Sequence, residues 1–319
     1  MRIVILRALK LGDFLTGVPA YRALRRAYPR AEIVLAAPRA LEPLRDLTGG
    51  AIDRIVDARA LLPLAPELRD ADVGVNLHGR GPQSHRVLVA ARARTLIAFR
   101  HDDVPESAHG PAHDPAEHEV ARWCRLLRHA GIDADPRELD LTVPPVLVPR
   151  RIRGATLIHP GAASEARRWP VERWIEVARA EQRLGRAVIV TGGADEVDRA
   201  RRIADAAGIP STHVYAGRTS LRELAALVAN AGRVVCGDTG VAHLATAYRR
   251  PSVVLFGPIA PAAWGPPPRP YHRVIWNGTT GDPHADRVDA GLLAIDPARV
   301  IAALDALGAG DSIGAHSRR

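Results

Sequence analysis

The stretch VVCGDTGVAHLATAYRRPSVVLFG, residues 234–257, sets two apolar runs of strand character on either side of a helix-period segment. The mouth of that helix carries Asp238, Thr239 and Gly240, with His243 one turn inside. A helix start leaves N–H groups unpaired and carries partial positive charge, so the amides of Thr239 and Gly240 are placed to hold a phosphate. Asp238 would repel that phosphate if it pointed the same way, and is expected to face sugar hydroxyls instead. His243 lies three residues beyond Gly240 on the same helical face and can donate to the phosphate or the sugar. The pattern asks for a ligand with both a diphosphate and a polyol.

The same alternation runs through the chain. Apolar runs predict strands at residues 3–6, 33–36, 73–77, 95–99, 156–159, 187–191, 212–215, 234–236, 253–256 and 274–276. Helix-period stretches lie between many of them, at 19–28, 117–130, 171–184 and 221–229. This βα rhythm predicts an α/β chain with parallel sheets covered by helices on both faces. A break at TVPPVLVPRRIRG, residues 142–154, has three prolines and no periodic pattern, and reads as a linker. Two Rossmann-like domains are therefore expected, 1–147 and 148–307, their parallel sheets facing an interdomain crevice that would take the ligand. The polar, Gly-containing residues 308–319 are expected to be a disordered tail.

Composition narrows the function classes. The chain has 319 residues, 47% of them hydrophobic, enough to bury two cores. Its apolar runs fall far short of the roughly 18 to 20 residues that span a bilayer. Arg7, Lys10 and Asp13 interrupt the first run too early for a signal peptide. A cytoplasmic location is expected, and the two isolated cysteines, Cys124 and Cys236, suit a reducing compartment. The net charge of +9 is spread over every predicted helix, and aromatic residues make up only 4%, poor material for stacking on bases. Nucleic acid is not an expected partner. An anionic partner is, with at most peripheral membrane association.

Three other strand ends carry chemistry. In RALKLGDFLTGVPAYRAL, residues 7–24, Gly12 allows a tight turn and Asp13 heads the helix that follows. Asp13 could cap that helix, or point into the crevice as a general base. Lys10 is the chain's one lysine. Its compact charge could orient an acceptor and would lower the pKa of Asp13. In LIHPGAASEARRWPVERW, residues 157–174, the loop Gly161, Ala162, Ala163 and Ser164 exposes amides, and Arg167 and Arg168 add cations suited to a diphosphate. In TGGADEVDRA, residues 191–200, Glu196 stands just past the strand end, where carboxylates take ribose hydroxyls. A first-turn Glu facing solvent is the other reading. LHGRGPQSHR, residues 77–86, offers His78, Arg80, Gln83 and Ser84 toward an acceptor.

Taken together, LGD near the N-terminus, HPGA followed by RRWP at mid-chain, and GDTGVAHLA with RRPSVVLFGP resemble glycosyltransferase family 9, the ADP-heptose:lipopolysaccharide heptosyltransferase-like enzymes. The resemblance implies a GT-B fold and an inverting, metal-independent transfer of a sugar, heptose by this likeness, from an ADP-sugar to an acceptor hydroxyl, with no cofactor. It implies that Asp13 is the general base and that Ala162, Ala163 and Arg167 lie at the diphosphate. Arg167 stands where the family has lysine, and the two alanines where it often has hydroxyl residues. Glu196 would take the ribose, Thr219 would line the adenine pocket through its backbone, and Asp238, Thr239, Gly240 and His243 would hold sugar and phosphate. Lys10, His78, Arg80 and Gln83 would serve the acceptor, whether glycan, glycolipid or small-molecule polyol. A sugar-nucleotide epimerase on the same scaffold and a non-catalytic sugar-nucleotide-binding protein are the alternatives.

Overall fold

The computed structural model describes residues 1–307, so the expected tail at 308–319 lies outside the described residues. The chain forms two compact units, the first Met1–Thr142 and the second from Val143 onward. The first holds strands β1 (Arg2–Leu6), β2 (Glu32–Ala37), β3 (Arg54–Asp57), β4 (Val73–Asn76) and β5 (Thr95–Ile97), in the order β3-β2-β1-β4-β5. The second holds β6 (Thr156–His159), β7 (Val188–Val190), β8 (Arg233–Gly237), β9 (Ser252–Leu255) and β10 (His272–Ile275), in the order β10-β9-β8-β6-β7. Every pairing is parallel, with Ile5 opposite Leu35 and Val75, and Ile158 opposite Val190 and Val235.

Parallel strands are covered on both faces, so β6, β8 and β9 are buried at every residue, and each has an apolar centre, residues 157–158, 234–236 and 253–255. The helices between them are stopped and started by local chemistry. Ser220 caps Leu221–Asn230: its Oγ accepts from the Glu223 amide at 3.3 Å, and Glu223 Oε2 accepts from the Ser220 amide at 2.7 Å. Asp296 caps Pro297–Asp305 by accepting from the Ala298 amide at 2.7 Å. In the second core Trp169 and Trp174 meet edge to face at 4.9 Å, and Trp169 Nε1 donates to the Ile295 carbonyl at 3.2 Å.

Two strand expectations need correction. Residues 212–215 are not a sheet strand: a short 3-10 turn, Ser211–His213, occupies the start of this run. Only Val214 reaches the edge strand, as an isolated parallel bridge to Val190. Pro210 precedes this segment and the left-handed Gly217 turns it away, leaving room for one pair. Conversely, β3 (Arg54–Asp57) is a strand that the apolar pattern did not reveal. It is an edge strand with one buried residue, Val56, so it carries almost no hydrophobic signal.

The topology decides where ligands can sit. In each sheet the chain first moves to one side of its opening strand and then returns on the other. The reversal lies between β1 and β4 in the first unit and between β6 and β8 in the second. Crevices at such switch points, beyond the carboxyl ends of the strands, are where open parallel sheets bind ligands. Asp13 follows β1 and His78 follows β4; residues 160–168 follow β6, and residues 238–243 follow β8. Among the described residues no helix is long and apolar enough to cross a membrane.

Candidate active site

In the second unit the switch point is bridged by charge. Arg167 ends a 3-10 turn (Glu165–Arg167) in the loop after β6, and its Nη2 donates to Asp238 Oδ2 at 2.9 Å and to the Asp238 carbonyl. The Asp238 side chain is 9% exposed, so its charge is neutralised by Arg167 rather than by water. An acid can therefore stand at this helix mouth because an arginine covers it, a pairing of residues 71 apart. Arg167 Nε is buried and lacks a hydrogen-bond partner, so the guanidinium retains donor capacity.

Thr239 sits at the N-cap of the helix Gly240–Ala247 in extended conformation, and its hydroxyl does not cap that helix. That hydroxyl is buried, with the Cys236 thiol beside it. The result is a helix mouth with free amides and a nearby guanidinium. His243, half-buried one turn in, has its ring 6.1 Å from that of Trp264.

The loop after β6 is held from two sides. Arg168 Nε donates to the Ala162 carbonyl at 3.1 Å, and Ser164 Oγ donates to the Pro283 carbonyl at 2.5 Å. Ala162 is buried, whereas Ala163 is exposed. Arg168 is thus a brace for the loop. Glu196 folds back to accept from the Gly193 amide at 2.7 Å and is 8% exposed. This burial sets aside the solvent-facing reading of Glu196. A Cβ on Gly161 would lie 1.9 Å from Glu196 Oε1, so the carboxylate and the loop share one space that only glycine leaves open. His159, buried at the end of β6, shares a 3.0 Å hydrogen bond with Thr191 Oγ1, and burial lowers its pKa against the pull of Glu196. Thr219 is half-buried between Gly217, whose amide donates to the Gly192 carbonyl at 3.0 Å, and the cap Ser220.

These contacts predict that Gly161→Ala folds and displaces Glu196. Nucleotide affinity is expected to fall roughly tenfold, about 1.4 kcal/mol, in a calorimetric titration with ADP. Unchanged affinity would place Glu196 outside the nucleotide site.

In the first unit Asp13 occupies the first turn of the helix Leu11–Thr16, and its Oδ2 accepts from the Lys10 amide at 3.2 Å. Its side chain is 23% exposed, and the other oxygen, Oδ1, lies 3.9 Å from Arg7 Nη2. Burial raises the Asp13 pKa, Arg7 pulls it back, and Glu119 adds to the rise; the net shift is upward. Lys10 does lower it, as expected, but through its backbone amide and not through its ammonium, and burial outweighs that pull. The Lys10 side chain is exposed and gives Asp13 a backbone amide only, while the cation facing Asp13 is Arg7, 1% exposed.

Arg7 was not a candidate on sequence, nor was its partner Glu119. Arg7 Nη2 donates to Glu119 Oε1 at 3.0 Å and to Thr16 Oγ1 at 2.8 Å, Nη1 donates to the Leu77 carbonyl, and Nε to the Asp13 carbonyl. It thereby joins the ends of β1 and β4 across the switch point. The available signal was an arginine set directly after the apolar run at residues 3–6, a position where charge is costly unless paired. Glu119, on the helix Glu119–His129, gave none.

Of the acceptor candidates, His78 is half-buried, its amide donates to Asn76 Oδ1 at 2.9 Å, and its Nδ1 is buried without a hydrogen-bond partner. Arg80 and Gln83 are exposed. Their loop is anchored by a buried set in which Asn76 Nδ2 contacts Ser84 Oγ at 2.9 Å and His85 Nδ1 at 2.8 Å. The structure therefore groups Arg167, Asp238, Thr239 and Gly240 in one place, and Asp13 with Arg7 and Glu119 in another.

A sequence model described as glycosyltransferase family 9 (heptosyltransferase) matches residues 107–290. Lipopolysaccharide heptosyltransferase 2 of Escherichia coli (strain K12) is 24% identical over 351 residues, covering 96% of this chain and 98% of that protein. Among solved structures, E. coli ADP-heptose LPS heptosyltransferase II superposes with a TM-score of 0.77 at 24% identity, covering 96% of this chain and 98% of that one. E. coli heptosyltransferase WaaC with ADP gives 0.71 at 18% identity, covering 96% and 100%. The two parallel sheets are accordingly of GT-B type.

Proposed function

The chain belongs to glycosyltransferase family 9, and from that membership and the geometry of its two switch points we propose that it transfers heptose from ADP-heptose to a hydroxyl of a lipopolysaccharide-type glycolipid. Sugar transfer is the activity of the family; the donor, the acceptor and the residue roles are the proposal. The observation that carries it is the helix mouth after β8, where Thr239 and Gly240 amides lie beside the Arg167 guanidinium. That set neutralises a departing diphosphate without a metal. His243 adds a donor one turn in, Glu196 takes ribose hydroxyls with the carboxylate oxygen that the Gly193 amide leaves free, and the Thr219 backbone borders the adenine. The amides of Ala162 and Ala163 complete the phosphate loop. Asp238, held by Arg167, accepts from sugar hydroxyls.

Asp13 takes the proton of the acceptor hydroxyl as that oxygen attacks the anomeric carbon. The bond to the diphosphate breaks, its electron pair leaves with ADP, and attack from the opposite face inverts the centre. A buried carboxylate with a raised pKa is a better base than an exposed one. Lys10, His78, Arg80 and Gln83 orient the acceptor, and basic groups there suit an anionic glycolipid. Epimerisation is not favoured by the family match, and a carboxylate poised as Asp13 is gives a non-catalytic binder no use.

Thermal shift with ADP, UDP, GDP and dTDP tests the donor. Ligand at a hundredfold excess over Kd stabilises by about 2.7 kcal/mol, and ADP is expected to give the largest shift. Equal silence from all four would overturn the sugar-nucleotide reading.

A further inference from the structure

Arg7 lies within ion-pair distance of two carboxylates, but its hydrogens are unequally shared. Nη2 has two, and both are spent, one on Thr16 Oγ1 at 2.8 Å and one on Glu119 Oε1 at 3.0 Å. Asp13 Oδ1, at 3.9 Å from the same nitrogen, is left with attraction across space and no hydrogen bond. Glu119 in turn is fixed in place, since Trp123 Nε1 donates to its Oε1 at 2.8 Å and Arg122 Nη1 to its Oε2 at 2.5 Å. The indole of Trp123 also lies against the Arg7 guanidinium, whose Cζ is 5.0 Å from the ring centroid, and so adds to the contacts on the Glu119 side.

We propose that Glu119 is a positioning residue for the base: by taking Arg7 as its own hydrogen-bonded partner it prevents Arg7 from locking Asp13 as a counter-ion, which leaves Asp13 able to accept a proton. The proposal rests on the reading of Asp13 as the base. Burial pushes the Glu119 carboxyl up, but Arg7, Arg122 and Trp123 outweigh it and hold it below the ordinary range. The other titratable groups around the pair include Lys10 at the start of the Asp13 helix, Tyr21 on the next helix with its pKa pushed up by burial, His78, lowered by burial and by Arg7, and His113, lowered by burial and by Arg122 against the pull of Glu119.

The experiment is a carbon-13 NMR titration of the Asp13 carboxyl in the full, unliganded chain, assigned by its absence in Asp13→Asn. In Glu119→Gln the midpoint is expected to fall by roughly one unit, as Arg7 turns to Asp13. Arg7→Gln combined with Glu119→Gln should restore it to the wild-type value or above. Thr16→Val, which frees one Nη2 hydrogen, should lower it by less, and serves if Glu119→Gln does not fold. An unmoved midpoint in the folded variants overturns the role of Glu119. The acid limb of the kcat/KM profile should move with the midpoint; a shifted midpoint with an unmoved limb would uphold the pairing and overturn Asp13 as the base.

Discussion

Asp13→Asn is expected to cut acceptor-dependent turnover roughly 10²- to 10⁴-fold, the usual worth of a general base, while leaving ADP affinity within about twofold. The substitution keeps the shape of the side chain and an oxygen that can still accept from the Lys10 amide, the 3.2 Å bond that Oδ2 now makes. The helix Leu11–Thr16 should therefore still start where it does. What is lost is the proton acceptor. In the wild type the raised pKa of Asp13 means that activity falls as pH drops through it, because protonation removes the base. The Asn variant should lose that acid limb together with its rate. A variant that melts early but retains specific activity would identify Asp13 as a cap and nothing more.

Arg167→Gln carries the next largest expected loss. It removes the cation at the helix mouth and leaves the Asp238 carboxylate, 9% exposed, without the partner it has at 2.9 Å. Affinity for ADP should fall roughly 10- to 100-fold, the worth of a charge-assisted hydrogen bond or two. Adenosine, which has no phosphate, separates the causes: its affinity should be nearly unchanged. Pairing the change with Asp238→Asn should recover thermal stability by removing a buried carboxylate that has lost its Arg167 contact, yet leave ADP binding weak. Equal losses for adenosine and ADP would mean that Arg167 only supports the fold.

The parallel sheets were legible in the sequence because strands covered on both faces carry apolar runs, as the centres of β6, β8 and β9 do. The edge strand β3 escaped because an edge need bury little, and residues 212–215 misled because a short apolar run beside an edge can stop after one pair. At the site, the helix mouth at Thr239 and Gly240 could be read from local spacing, since unpaired amides at a helix start need no distant residue. The partnerships could not. Arg7 and Glu119 are 112 residues apart, and Arg167 and Asp238 71. Local pattern cannot tell which of two acids an arginine will choose. Lys10 attracted attention as the one lysine, yet the buried cation beside Asp13 is Arg7, because a guanidinium can meet four oxygens at once where an ammonium cannot.

The most direct test of the account is acceptor-dependent release of ADP from ADP-heptose by the full chain, with a chelator present and the product analysed by NMR. The predicted result is that ADP appears only when a lipopolysaccharide core acceptor is supplied, and that the heptose is found on that acceptor with its anomeric configuration inverted. Release of ADP regardless of acceptor, or ADP-heptose recovered unchanged or epimerised in its presence, would contradict it.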